Sequence, residues 1–231
     1  MDKRPAPEIG MADLTPGGER YLSLFQHPPA METARLRLRK MRRSDAEDIY
    51  AWASDPEVAR YVLWDAHGSL RDTREYLRYI RWLYRHRLPA SWGIELKETG
   101  RMIGTIGVMA WVPDHHCAEV GYSLGRKWWR QGYASEALAE LLNRLFAEPG
   151  VNRVEAMCDV RNPASARVME KCGMRREGIL RQRVYNKGEA VDVLLYAAVR
   201  SDRSRPAFRE TARAESGAAE DPEGRRRGAG E

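Results

Sequence analysis

Trp128-Trp129-Arg130-Gln131-Gly132-Tyr133-Ala134-Ser135-Glu136-Ala137-Leu138 joins two different hydrophobic periods. Ahead of it, Ala118-Glu119-Val120-Gly121-Tyr122-Ser123-Leu124 reads as a strand. Behind it, Leu138, Leu141, Leu142, Leu145 and Phe146 recur at the three- and four-residue intervals of a helix. A strand that feeds a glycine turn and opens a helix leaves the first helical N–H groups without partners. With the positive end of the helix dipole, these groups form an anion site suited to phosphate. Gly132 permits close approach of the backbone, Ala134 adds little bulk, and Arg130 brings a permanent charge. On this segment alone, an ordinary strand–helix turn in which Gly132 only satisfies backbone geometry is an equal alternative.

The chain has 231 residues, 43% of them hydrophobic and 31% charged, enough for a core in one domain or two. No apolar run approaches the ~20 residues that cross a bilayer. No signal-peptide stretch opens the chain, so a cytoplasmic protein without a membrane partner is expected. The formal charge of +6 suits polyanions, and nucleic acid, an anionic membrane and a phosphorylated cofactor all qualify. Three cysteines, Cys117, Cys158 and Cys172, read as free thiols. The His115-His116 pair lacks further ligands at suitable spacing, so no metal is expected.

Residues 1–30, rich in Pro, Gly and charge, are expected to form a disordered extension, although Tyr21, Leu22, Leu24 and Phe25 could dock as an arm. A folded domain is expected over 31–200 and a disordered charged tail over 201–231. The alternation in Ala34-Arg35-Leu36-Arg37-Leu38-Arg39 predicts a strand, with its arginines on a solvated face rather than in a binding stripe. Ser44 is placed as the cap of a helix that Asp55-Pro56 interrupts, and 69–87 predicts a second helix. Strands follow at 92–96 and 102–109 around the Glu98-Thr99-Gly100 turn. Beyond the central helix come a strand over 151–159, a helix capped by Asn162 with Pro163 at its first position and ended by Gly173, and strands over 175–185 and 190–199.

Strand, two helices, three strands, helix, strand, helix and two strands make an α/β arrangement around one mixed sheet. Three blocks in that order resemble the GNAT N-acetyltransferases, and within them the ribosomal-protein alanine N-acetyltransferases of the RimJ/RimL type. The blocks are Ala118 through Leu124, Trp128 through Ala137, and Asn162-Pro163-Ala164-Ser165-Ala166-Arg167-Val168-Met169-Glu170-Lys171-Cys172-Gly173-Met174. The resemblance implies the GNAT fold: a twisted mixed sheet of about seven strands, helices on both faces, and a splayed strand pair that holds the cofactor. It implies acetyl-CoA as acyl donor, with pyrophosphate on the amides of Arg130, Gln131, Gly132, Tyr133, Ala134 and Ser135. The pantetheine arm would lie beside Tyr122, Ser123 and Leu124, and Asn162 would bond to the cofactor across the splay. Many members carry a tyrosine acid seven residues after the asparagine; this chain has Met169 there, and Ser165 looks like the substitute.

An alkyl ammonium must lose a proton before it can attack a thioester, and a carboxylate at the site can take it. Glu119, at the start of the strand that should pass the thioester, is the candidate base; a surface glutamate is the equal alternative. Ser165 would protonate the departing sulfur, or only bond backbone near the helix start. Neither Cys158 nor Cys172 has a neighbouring histidine, which favours direct transfer in a ternary complex. The RimJ/RimL likeness points to a protein N-terminal amine as acceptor and admits a homodimer. A small-molecule amine (polyamine, amino acid or aminoglycoside) and a non-catalytic acetyl-CoA sensor remain open. A basic nucleic-acid-associated protein, suggested by the net charge and the arginine-rich tail, is a further alternative, but nucleic acid is not the expected partner because no aromatic–basic platform stands out beside the charge.

Overall fold

Eight strands form one sheet in the computed structural model of the chain, which describes residues 22–204. They are β1 (Met31–Glu32), β2 (Leu36–Arg39), β3 (Ser91–Leu96), β4 (Met102–Val112), β5 (Cys117–Leu124), β6 (Arg153–Asp159), β7 (Arg175–Asn186) and β8 (Glu189–Val199). The helices are α1 (Ser23–Gln26), α2 (Ala46–Ala53), α3 (Pro56–Ala59), α4 (Leu70–His86), α5 (Tyr133–Ala147) and α6 (Pro163–Lys171). Across the sheet the order is β1-β2-β3-β4-β5-β6-β8-β7. Every pairing is antiparallel except that of β5 with β6. Parallel neighbours need a crossover, and α5 supplies it. The strand beyond the seven expected is β1, whose two residues are too few to show a period in sequence.

Successive side chains on a strand point to opposite faces, and Met102 and Ile103 show the consequence. Ile103 joins the larger core, with Ile106, Val108, Ala118 and Val120 under the leucines of α5. Met102 joins a second core with Ile49 and Trp52 of α2 and Leu77 and Ile80 of α4. The Trp52 indole donates to the Met102 carbonyl at 3.2 Å, tying α2 to the sheet. Helix α4 begins at Ser69, whose amide donates to Asp72, and ends at Arg87 in the left-handed conformation, φ 59°.

Three expectations need correction. Ser44 is not the cap of α2: it lies inside a 3-10 turn, Arg43–Asp45, that runs into the helix, and the Asp45 carboxylate closes that turn by accepting the Arg42 amide at 2.6 Å while also accepting the Arg39 guanidinium at 2.8 and 2.9 Å. The arginines of β2 and its lead-in are not uniformly solvated: Arg35 and Arg37 are exposed, as expected, and Arg39 is not. Arg39 is buried between Asp45 and Glu95, and Arg35 is paired with Glu136 on α5. The alternation identified the strand correctly, but carboxylates from distant elements set where each arginine goes.

The third concerns the extension, of which residues 1–21 lie outside the described residues. Leu22, Leu24 and Phe25 are buried in the larger core, so the folded unit starts before residue 31. Glu148 holds this arm by accepting the Ser23 amide at 3.1 Å, the Ser23 hydroxyl and the Leu24 amide at 3.2 Å. At the other end, residues 200–204 form a short 3-10 turn, and the tail from 205 lies outside the described residues.

Candidate active site

β5 and β6 pair only at Cys117–Arg153, Ala118–Val154 and Glu119–Glu155. Beyond Glu119, β5 stays with β4 as far as Leu124, while β6 stays with β8 as far as Asp159. Each strand keeps its outer ladder and loses its inner one, so a fork opens. Backbone groups on the inner edges then need water or a ligand as partner. This is the splayed pair that the resemblance implied.

Glu119 occupies the last paired position before the fork, opposite Glu155. Burial raises its pKa first, the neighbouring Glu155 charge raises it further, and Arg183 acts in the opposite direction. A carboxylate held above its ordinary range is a better proton acceptor at neutral pH than a surface glutamate.

At the far end of β5 the chain turns into α5. Gly132 has φ 83° and Arg130 φ 61°, both left-handed, and Gly132 caps the helix. The Glu136 amide is the first to find a helical acceptor, the Gly132 carbonyl at 2.9 Å. The amides of Tyr133, Ala134 and Ser135 precede it, in the turn where helices have no acceptor of their own. A Cβ on Gly132 would lie 3.3 Å from Arg35 Nη2 and 3.9 Å from Lys171 Nζ, so two cationic groups flank the turn. Free amides and two cations around a bare backbone suit a diphosphate. Gln131 is exposed; its carbonyl accepts from Arg35 at 3.0 Å and its side-chain amide donates to the Lys127 carbonyl at 2.9 Å. Ser135 is buried, and its carbonyl accepts from the Cys172 thiol at 3.2 Å.

Across the fork, Asn162 caps α6 by accepting the Ser165 amide at 3.1 Å. Its own amide donates to the Asp159 carbonyl at 2.8 Å. Asp159 is in turn clamped by the Arg161 guanidinium at 2.9 and 2.7 Å, which lowers the carboxyl pKa. Asn162 therefore keeps its NH2 group for another acceptor. The Ser165 hydroxyl lies 2.9 Å from the Tyr122 phenol, which also donates to the Ser165 carbonyl at 3.0 Å. Tyr122 and Ser165, named separately in the sequence, thus form one hydroxyl pair bridging β5 and α6. Burial raises the Tyr122 pKa, so the phenol keeps its proton. Met169, the position at which the resemblance implied a tyrosine in other members, is fully buried in the core.

With this geometry, residues 35–175 match the acetyltransferase (GNAT) domain family. The chain belongs to that family. The acetyltransferase is 36% identical to the uncharacterized N-acetyltransferase YoaA of Bacillus subtilis (strain 168) over 172 residues, 74% of this chain and 97% of that protein. A crystal structure of a GNAT-family acetyltransferase from Bacillus anthracis superposes with a TM-score of 0.67 at 29% identity, covering 75% of this chain and 99% of that one. The ribosomal-protein-serine acetyltransferase of Escherichia coli (strain K12) is 33% identical over 98 residues, 42% of this chain and 55% of that protein.

Four residues beside the turn were given no role at the candidate site by the sequence. Arg35 lies 4.4 Å over the Tyr133 ring, and Glu136 aligns it by accepting its amide at 2.8 Å and its Nε at 2.7 Å. Lys171 comes from the far end of α6. Trp129 fixes the turn by donating its indole N–H to the Leu124 carbonyl at 2.6 Å. The alternating arginines around β2 were the only signal for Arg35, and they carry no hint of its partner on α5.

Proposed function

We propose that the acetyltransferase takes its acetyl group from acetyl-CoA and passes it to a protein N-terminal α-amine by direct attack in a ternary complex. The observation that carries this reading is the fork, with Glu119 at its closed end and the Tyr122–Ser165 pair spanning it. Tyr133, Ala134, Ser135, Arg35 and Lys171 would hold the diphosphate, and Asn162 with the inner edge of β5 at Tyr122, Ser123 and Leu124 the arm that follows. The bound donor supplies an activated acetyl group.

Glu119 accepts the ammonium proton as the amine attacks. Unpaired backbone N–H groups on β5 offer hydrogen bonds to the carbonyl oxygen. Ser165, held in place by the Tyr122 phenol through the Ser165 carbonyl, donates a hydrogen bond to the departing sulfur. An α-amine, with a pKa of about 7.7–8.0, is neutral in roughly one molecule in ten at pH 7, whereas a lysine amine near 10.4 almost never is. One carboxylate base therefore suits an N-terminus better than a lysine.

The cysteines support direct transfer. Burial pushes both Cys117 and Cys158 up to about 11, which keeps them as neutral thiols and poor nucleophiles. The partial likeness to a ribosomal-protein-serine acetyltransferase supports an N-terminal acceptor, and a small-molecule amine is the second reading.

The first test is a thermal-shift comparison of acetyl-CoA, CoA, ATP and NAD, followed by CoA-release assays with N-terminal peptides and polyamines. A ligand at 100 times its Kd stabilises the fold by about 2.7 kcal/mol. Stabilisation by CoA and acetyl-CoA alone, with turnover of peptides, is the expected result. No response to either would sink the acetyl-CoA reading. Turnover of polyamines but not peptides would replace the acceptor, and binding without any turnover would make the chain a sensor.

A further inference from the structure

Helix α4 carries a second chemistry on its outer side. Its core side presents Thr73, Leu77 and Ile80. One position further on, Arg74, Arg78, Arg81 and Arg85 repeat at the four- and three-residue steps that align side chains along one face. Together with Arg43 and Leu77 they line an open cleft of about 400 Å³. None of these five arginines has a carboxylate partner among the described residues, and all but Arg81 are exposed. The two acids of α4 stand in its first turns and are engaged, Asp72 with Ser69 and Glu75 with Arg71. Favourable contact with the negative end of the helix dipole accounts for Arg85 in the last turn. It does not account for Arg74 and Arg78 near the start.

One position further again, Tyr79 and Trp82 are 46% and 42% exposed. Their rings lie 6.5 Å apart with planes only 13° from parallel, and His86 packs against Trp82 at 4.2 Å. Two large near-parallel rings facing solvent beside a row of free guanidinium groups form the aromatic–basic platform that the sequence did not reveal. The ground for setting nucleic acid aside is thereby removed.

We propose that this side of α4 docks single-stranded RNA, with phosphates on the five arginines and unpaired bases on Tyr79 and Trp82. A membrane surface also takes Trp and Tyr, but an interfacial helix beds them in an apolar face, whereas Glu75, Arg78, Arg85 and His86 stand at the three- and four-residue steps around these rings. A duplex hides its base faces, whereas RNA loops splay them out for stacking on aromatic side chains. No lining residue of the cleft belongs to the fork, so the inference stands independently of the acceptor.

The test is fluorescence anisotropy of the full chain with a labelled 12-nucleotide RNA at several salt concentrations. Five neutralised phosphates predict a slope of log K on log salt of roughly −3.5, about 0.7 per phosphate. Arg74→Ala with Arg78→Ala should make the slope shallower by about 1.4. Trp82→Ala should weaken binding roughly 5- to 150-fold, the range of one lost base stack. Affinity and slope unchanged in both variants would assign RNA binding elsewhere and overturn the proposal. So would tighter binding of single-stranded DNA of the same sequence, equal binding of a duplex, preference for phosphatidylglycerol vesicles, or equal competition by polyglutamate. The acetyl-CoA thermal shift measured on each variant reports the fork separately. A retained shift with lost RNA binding supports the platform, and a missing shift in the parent chain counts only against the transferase reading.

Discussion

Burial and Glu155 both disfavour the charge of Glu119, which suits it to the proposed role of base and also makes it costly to the fold. As a base it works only when ionised, so the acid limb of the rate profile should lie above the ordinary glutamate range of about 4.3. Glu155→Gln removes one of the two upward causes and should move that limb to lower pH. The stability consequence has the opposite sense. A folded pKa raised above the unfolded one gives stability that is full below the unfolded value and is lost as pH rises through the folded value. Glu119→Gln should therefore lower kcat about 10²- to 10⁴-fold while leaving the protein at least as stable at pH 7. A variant that loses stability and keeps kcat would make Glu119 structural. The Tyr122–Ser165 pair gives a second check at this scale, because groups that act as a unit are not additive. Tyr122→Phe and Ser165→Ala should each lower kcat, and the double variant should lose little beyond Ser165→Ala alone.

At the scale of elements, the glycine turn proposed to hold the diphosphate depends on contacts between parts far apart in sequence. Gly132 is left-handed, and its missing side chain leaves room for Arg35 and Lys171. Gly132→Ala should destabilise by roughly 1–2 kcal/mol from the left-handed backbone alone. It should also raise the Kd for CoA, since the added methyl pushes on the Arg35 guanidinium; calorimetry would measure both effects. An unchanged Kd would place the diphosphate away from this turn. Glu136 links the same elements by accepting the Thr33 hydroxyl, the Arg35 amide and the Arg35 side chain, so one buried carboxylate ties the lead-in of β2 to α5.

At the scale of the molecule, both ends of the described chain close over the far end of α5. The Arg200 guanidinium donates to the carbonyls of Phe146 at 3.0 Å, Glu148 at 2.6 Å and Val151 at 2.9 Å, while Glu148 holds α1. Phe25, 1% exposed, is part of the fold, and Phe25→Ala should cost about 3–5 kcal/mol in urea unfolding. A loss well under 1 kcal/mol would make the arm an accessory. Lys187, in the turn between β7 and β8, donates to the Ala59 carbonyl at 2.7 Å and the Val62 carbonyl at 2.8 Å, and the acceptor groove is proposed to lie between these two segments. Lys187→Ala should raise KM for the acceptor and leave KM for acetyl-CoA unchanged; equal effects on both would remove the groove from this region.

The chain's order of elements was readable because each is written in local periodicity and punctuation. Alternation marked β2, leucine spacing marked α5, Asn162-Pro163 opened α6, and Gly132 and Gly173 supplied left-handed turns. The elements that carry Glu119, Tyr122, Ser165, Asn162 and the glycine turn were legible for the same reason, whereas the roles of these residues are proposals. Tertiary structure alone decided which distant groups meet. It paired Arg35 with Glu136, brought the Tyr122 phenol to Ser165, buried Phe25 under Glu148, and set Tyr79 and Trp82 outward beside free arginines. A spacing of three or four residues fixes a face of a helix, but not what lies opposite it. That depends on the packing of the whole sheet, where burial and the nearest opposite charge determine the role of each side chain.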